Sequence, residues 1–154
     1  MDGIFLFANA GASSAPGIEC RSGGANSNYT MVFTFNNSIT SCGIASSGTV
    51  SSGPDANQCT VQLTNVPNAQ YTIVQLTGVT DNNANTVNAA GTMGVLVGDV
   101  NGNKTVDGND VSAVQSNTRQ PVNSTTFRSD VNVNGVIDGN DVSLTQGQTR
   151  TSLP

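Results

Sequence analysis

At 154 residues the chain has room for one ordinary domain or two small ones, and its composition (no His, no Trp, 10% charged residues, 17 Gly) is unlike that of an intracellular enzyme. The formal charge is −5, but six of the ten acids, Asp99, Asp107, Asp110, Asp130, Asp138 and Asp141, fall into two short clusters, so two bound divalent cations would leave about −1 and the acidity is local. Neither a basic stripe for nucleic acid nor an apolar run long enough for a bilayer is present, and catalysis has neither a His nor a nucleophile motif to work with.

The first stretch, Ile4-Phe5-Leu6-Phe7-Ala8, is apolar and leads into the flexible Gly11-Ala12-Ser13-Ser14-Ala15-Pro16-Gly17. Residues 1–16 therefore read as a leader strand and tether. The strand either joins the chain's own sheet or is given to a neighbouring molecule, with Ile4, Phe5, Leu6 and Phe7 as the inserting residues.

Residues 17–97 show apolar side chains at alternate positions between turn residues, the pattern of a small β-sandwich. Tyr29-Thr30-Met31-Val32-Phe33-Thr34-Phe35 would place Tyr29, Met31, Phe33 and Phe35 on one face. Cys59–Leu63 and Tyr71–Leu76 alternate likewise, with shorter strands expected at Ile18–Arg21, Ser38–Cys42, Gly48–Ser51 and Thr86–Val97. About seven short strands at this spacing suggest an immunoglobulin-like sandwich in the loose architectural sense. The three cysteines, Cys20, Cys42 and Cys59, form no C-x-x-C pair, which leaves zinc and thioredoxin-type chemistry unsupported. One disulfide and one free thiol are expected, with Cys42 and Cys59 the favoured pair; three reduced, buried cysteines are the alternative.

Residues 98–154 contain an internal repeat. Asp99-Val-Asn-Gly-Asn-Lys-Thr-Val-Asp-Gly-Asn-Asp110 matches Asp130-Val-Asn-Val-Asn-Gly-Val-Ile-Asp-Gly-Asn-Asp141 at an offset of 31, and Arg119 and Arg150 close the two copies. A twelve-residue loop can wrap a hard cation with oxygens from positions 1, 3, 5, 7, 9 and 12. Those positions hold Asp99, Asn101, Asn103, Thr105, Asp107 and Asp110, then Asp130, Asn132, Asn134, Val136, Asp138 and Asp141, with Thr105 and Val136 acting through their carbonyls. Two calcium ions are the expected cofactors. Val106 and Ile137, at position 8, are expected to pair the loops through a short β-bridge. Short helices should follow at Gly108–Asn117 and Gly139–Gln146, with Phe127 between them in the core. Position 6 is Lys104 in the first loop but Gly135 in the second, and glycine suits the positive φ needed there, so the second loop is expected to bind more tightly.

This segment resembles a dockerin, the duplicated calcium-loop-plus-helix domain of secreted bacterial proteins. The features that carry the resemblance are Gly-Asp-Val-Asn-Gly-Asn, Asp rather than Glu at position 12, and the second copy in register. The resemblance implies a cohesin-like partner contacted through positions 10 and 11, here Gly108-Asn109 and Gly139-Asn140. The preceding part is similar to the small β-sandwich placed before such tails in bacterial surface proteins. The fold expected is thus mainly β with a small α tail, an immunoglobulin-like β-sandwich followed by a dockerin-like pair of calcium loop-helix units. Three functions follow: a secreted, non-enzymatic calcium-binding subunit polymerising with copies of itself through the leader strand; a dockerin module bound to a cohesin-like receptor; or a carbohydrate-binding surface module, disfavoured by the absence of Trp.

Overall fold

The computed structural model describes residues 3–6, as backbone, and residues 16–154. The chain is mainly β, with two α-helices among the described residues. Among the described residues nine strands run in chain order: β1 (Gly3–Leu6), β2 (Gly17–Glu19), β3 (Tyr29–Thr34), β4 (Ile39–Ser41), β5 (Ile44–Ala45), β6 (Thr49–Ser52), β7 (Gln58–Leu63), β8 (Gln70–Asp81) and β9 (Thr86–Val95). The helices α1 (Gly108–Asn117) and α2 (Gly139–Gly147) follow. Two compact units result: one contains Asn28–Val66 and Thr72–Met93, and the other Ile18–Ser27, Pro67–Tyr71 and Gly94–Pro154.

Alternation builds the first unit. Met31 and Phe33 on β3 are fully buried and lie opposite Val61 and Cys59 of antiparallel β7, which are buried too. Fully burying side chains of this size is worth about 1.5–3 kcal/mol each. β6 extends the same sheet on β7, giving the order β1-β3-β7-β6, while a second sheet has the order β2-β9-β8-β4 with β5 also on β8. The two sheets meet at Gly91 of β9, where an added Cβ would stand 3.1 Å from Met31 Cε and from Phe33 Cε1.

The leader is not a spare strand. Gly3–Leu6 pairs in parallel with Thr30, Met31, Val32 and Phe33 of its own chain, so Ile4, Phe5 and Leu6 belong to an edge strand of the first sheet. This corrects the strand-donation reading, which needs those residues unpaired at home; Phe7 lies outside the described residues. Two other features of the unit differ from the alternation pattern. β8 continues five residues beyond Leu76, and the two-residue β5 pairs with it through Ile44↔Thr77 and Ala45↔Leu76. The turn into β5 depends on Gly43, whose φ is +65° and whose Cβ would collide with the carbonyl oxygen of Thr77. Ile44 is 75% exposed, so apolar character alone gives no pattern there.

Cys42 and Cys59 form a disulfide, with Cα atoms 5.7 Å apart and a sequence separation of 17. It closes the β4-to-β7 excursion covalently. Replacing both residues by Ala is expected to cost about 3 kcal/mol for a loop of this size, seen as a lower urea midpoint for the first unit; an unchanged midpoint would show that the loop is held by its strands alone. Cys20 is free and buried in the second unit, and burial pushes its thiol up to about 12. It is an inert packing residue at neutral pH.

Candidate metal centre

Each twelve-residue loop is held by its own side-chain oxygens. At position 1, Asp99 Oδ1 accepts from the backbone N–H of Gly102 and Asn103 (2.9 and 3.0 Å) and Oδ2 from Lys104 (3.0 Å). Asp130 repeats this with Asn134 (3.1 Å) and Gly135 (3.0 Å). At positions 3 and 5, Asn101 Oδ1 accepts from Asn103 N–H and Asn103 Oδ1 from Thr105 N–H, both at 2.9 Å. Asn132 and Asn134 do the same for Asn134 and Val136, at 3.0 and 2.8 Å. Such short side-chain-to-backbone bonds are what Asx residues form in turns.

Positions 9 and 12 start the helices. Asp107 caps α1, and Asp110, three residues on, returns its carboxylate to the Asp107 N–H at 3.0 Å; Asp138 and Asp141 cap α2 in the same way at 2.9 Å. This reciprocal capping satisfies donors that a helix start leaves open, and explains why helices with few strong helix formers begin sharply at Gly108 and Gly139. The second oxygens of Asp110 and Asp141 reach back to the N–H of Asn101 and Asn132, both at 3.0 Å, and so tie position 12 to position 3. Thr105 and Val136 are exposed at position 7.

Charge makes this arrangement unusual. Asp99, Asp110 and Asp141 are fully buried and Asp130 is 5% exposed. The nearby Arg128 donates to main-chain carbonyls: Nε to Val100 (2.7 Å), Nη2 to Asp99 (2.8 Å) and Nη1 to Ile18 (3.2 Å). Buried carboxylates stabilised by amide dipoles alone are costly unless a cation compensates them. Among the described residues no group of three acidic side chains is drawn together as a metal cluster, so the Asn oxygens and the position-7 carbonyls have to complete any ligand set. A carboxylate or amide oxygen that accepts one N–H keeps a lone pair for a metal. The residues present therefore fit a hard, oxygen-seeking divalent cation.

The loops differ in where each spends its glycine. Both take positive φ at positions 4 and 6: Gly102 (+77°) and Lys104 (+73°) in the first, Val133 (+60°) and Gly135 (+85°) in the second. Lys104 follows the expected backbone without glycine, and the second loop carries the harder case, a β-branched residue in the left-handed region. No advantage of the second loop follows from this geometry. Val133→Gly is expected to stabilise the second unit by about 1 kcal/mol and Lys104→Gly by less, because relieved strain outweighs the added freedom of the unfolded chain more at valine. Thermal melts of the two variants in calcium check the ranking; a stability loss in Val133→Gly would show that its half-buried side chain matters more than its φ.

Position 8 corrects a further expectation. Val106 and Ile137 are fully buried, but each pairs with the residue that follows the opposite copy's helix. Arg119 N–H donates to Ile137 O (3.0 Å), Arg150 N–H to Val106 O (2.9 Å), and Val106 N–H to Thr151 O (2.9 Å). The tail continues with a bridge between Thr105 and Ser152 and a bond from Leu153 N–H to Lys104 O at 3.0 Å. Leu153 then packs with Leu96 and Val106, beside Ile18, Ala69 and Tyr71. Gly94 makes room for it, since a Cβ there would stand 2.8 Å from Leu153 Cδ1. Phe127 is 37% exposed rather than core; it opens the 3-10 turn Phe127–Ser129, and the Arg21 guanidinium lies 5.2 Å from its ring centroid.

Residues 97–146 match the family model described as the dockerin type I domain. The segment is a dockerin-like domain. No curated protein and no solved structure matches the chain. Dockerin domains of this type bind calcium, are non-catalytic binding modules and occur in extracellular and cell-surface proteins. In this chain the compact unit that contains the dockerin-like domain also takes in Ile18–Ser27 and Pro67–Tyr71. Leu96 N–H and Gly98 N–H donate to the carbonyls of Glu19 and Cys20, and the Asn68 side chain bonds both Val97 N–H and Gln148. No local pattern marks Arg128 or Asn68, because the carbonyls that Arg128 holds and the Val97 N–H and Gln148 side chain that Asn68 bonds are distant in sequence. No helix among the described residues is long and apolar enough to cross a membrane.

Proposed function

We propose that the chain is a secreted, calcium-dependent docking module: two calcium ions, one per loop, order the dockerin-like domain, and its helix pair binds a cohesin-like partner. The ligands are Asp99, Asn101, Asn103, Thr105, Asp107 and Asp110 for one ion and Asp130, Asn132, Asn134, Val136, Asp138 and Asp141 for the other, Thr105 and Val136 through their carbonyls. The observation that carries the reading is the duplication of one side-chain network around buried aspartates in both loops, at an offset of 31. The exposed helical residues Asn109, Ser112 and Gln115, and Asn140, Ser143 and Gln146, are polar and uncharged, so the partner is held by hydrogen bonds and shape rather than by ion pairs. The Cys42–Cys59 disulfide supports an oxidising, extracellular setting. We take the first unit as an immunoglobulin-like sandwich in a broad sense, supported by its two facing sheets, and as a spacer without catalytic activity.

Calorimetric titration of the metal-stripped chain with calcium, followed by capture on immobilised cohesin-like domains with and without chelator, tests this. Two calcium equivalents and calcium-dependent capture are the expected results. Binding to the partner that persists in chelator would overturn the docking mechanism, and absence of calcium uptake would overturn the ligand assignment.

A further inference from the structure

A pocket of about 180 Å3 opens in the first unit, lined by half-buried Phe35, buried Val79 and the partly exposed Val87, with the exposed Asn37, Asn85 and Asn88 at its rim. Its walls are fixed by main-chain bonds. Phe35 N–H donates to Asn57 O (2.9 Å) and Ile39 N–H to Ala56 O (2.8 Å), which fasten the segment after β3 to the residues before β7, and Asn82 N–H donates to Ser38 O (2.9 Å), which ties it to the β8–β9 turn. Asp81 organises the rim. Its Oδ1 accepts from the N–H of Asn83 and Asn85, both at 2.9 Å, and its Oδ2 from Asn37 Nδ2 (2.7 Å) and Asn85 Nδ2 (3.1 Å). These bonds, that from Asn37 foremost, hold the Asp81 carboxyl down at about 2.

Because both amide nitrogens point at Asp81, Asn37 and Asn85 keep their Oδ1 atoms as oriented acceptors. Asn88 uses Oδ1 on Gly78 N–H (3.0 Å) and keeps Nδ2 as a donor. The rim therefore offers fixed acceptors and a donor over an apolar floor that includes one aromatic ring. The Asp81 charge is spent on four N–H groups, which disfavours a cation, and no Lys or Arg lines the pocket, which disfavours an anion. The volume lies below the about 300–1,000 Å3 of sites that bury drug-sized molecules, so one ring fits and a chain would enter by its end.

We infer that this pocket binds a single ring of a neutral saccharide, its apolar face on Phe35 and Val87 and its hydroxyls on Asn37, Asn85 and Asn88. The site is separate from the dockerin-like domain and adds a second binding activity to the chain. Rim groups already locked by Asp81 lose little freedom on binding, which favours a weak, polar ligand.

Amide-resolved NMR of the full, calcium-loaded chain, titrated with glucose, galactose, mannose, xylose and N-acetylglucosamine, tests the inference. At least one sugar is expected to give saturable shifts confined to residues 35–39 and 79–89. Asn88→Ala, which removes the Nδ2 donor, and Val87→Glu, which sets a charge against the ring face, should each weaken binding by about tenfold or more. Ser47→Ala, exposed in the turn between β5 and β6, should leave it unchanged, and calcium uptake should be the same in all variants. If no sugar gives saturable shifts, or if cyclohexanol binds as tightly as every sugar, the inference is overturned.

Discussion

Chelation of calcium is expected to melt the helices and loops of residues 94–154. With free calcium near a thousand times the dissociation constant, each occupied site would add about 4 kcal/mol, enough to decide whether a small unit folds. The cause lies in the buried carboxylates. Asp99, Asp110, Asp130 and Asp141 are almost removed from water, and without a cation each loop has to hold its aspartates against mutual repulsion. Asp110→Asn and Asp141→Asn keep the shape while removing one of these charges, and each is expected to weaken calcium binding at its own loop by more than tenfold. The amide would also turn a donor towards a backbone N–H that Asp110 or Asp141 now caps, at a further cost of about 1 kcal/mol. Helical circular dichroism followed during heating, in calcium and in chelator, measures both effects. Identical melting in the two conditions would mean that the aspartates serve only as turn and helix caps.

Arg128→Ala is expected to be the most damaging substitution outside the metal ligands, at about 3 kcal/mol or more. One guanidinium holds the carbonyls of Ile18, Asp99 and Val100, and charged hydrogen bonds of this kind are worth about 1.5–3 kcal/mol each, though not additively. Removing it leaves three half-buried carbonyls short of a donor and releases residues 18–21 from the first loop. Lysine should not rescue the loss, because a point charge cannot reproduce a fork aimed at three acceptors. Since Arg128 supports the backbone on which Asp99 sits, calcium affinity at the first loop should fall with stability although no ligand has changed. Unaltered calcium affinity in a destabilised Arg128→Ala chain would confine the residue to packing.

Ligand chemistry explains how much of this could be read from residues alone. Calcium fixes residue types at set spacings, so Asp99 to Asp110 and Asp130 to Asp141 stand out in the chain, and the caps at Asp107 and Asp138 locate the helix starts to the residue. Strand β7 was legible because its buried and less buried residues alternate, and β3 because its apolar Tyr29, Met31 and Phe33 recur at every second position, although Val32 on the other face is buried as well. Other features depend on distant partners. The parallel pairing of β1, the two-residue β5, the extension of β8 to Asp81 and the cross-pairing of Val106 and Ile137 come from contacts that no local pattern encodes. Phe127 looked like core by hydropathy, yet a cation placed over its ring lets it remain at the surface. The left-handed backbone of Val133 has no mark in the sequence, because a β-branched residue is not one that signals a positive φ.

The crossed hydrogen bonds from Arg119 to Ile137 and from Arg150 to Val106 mean that neither half of the duplication is self-sufficient. A peptide holding one loop and its helix would lack the acceptor and donor that its sister supplies, and would behave as a flexible fragment. Under the proposed two-ion reading the pair should behave as one cooperative object: the first ion captured is expected to prepare the second cradle, and the approach to saturation to be steeper than for independent sites.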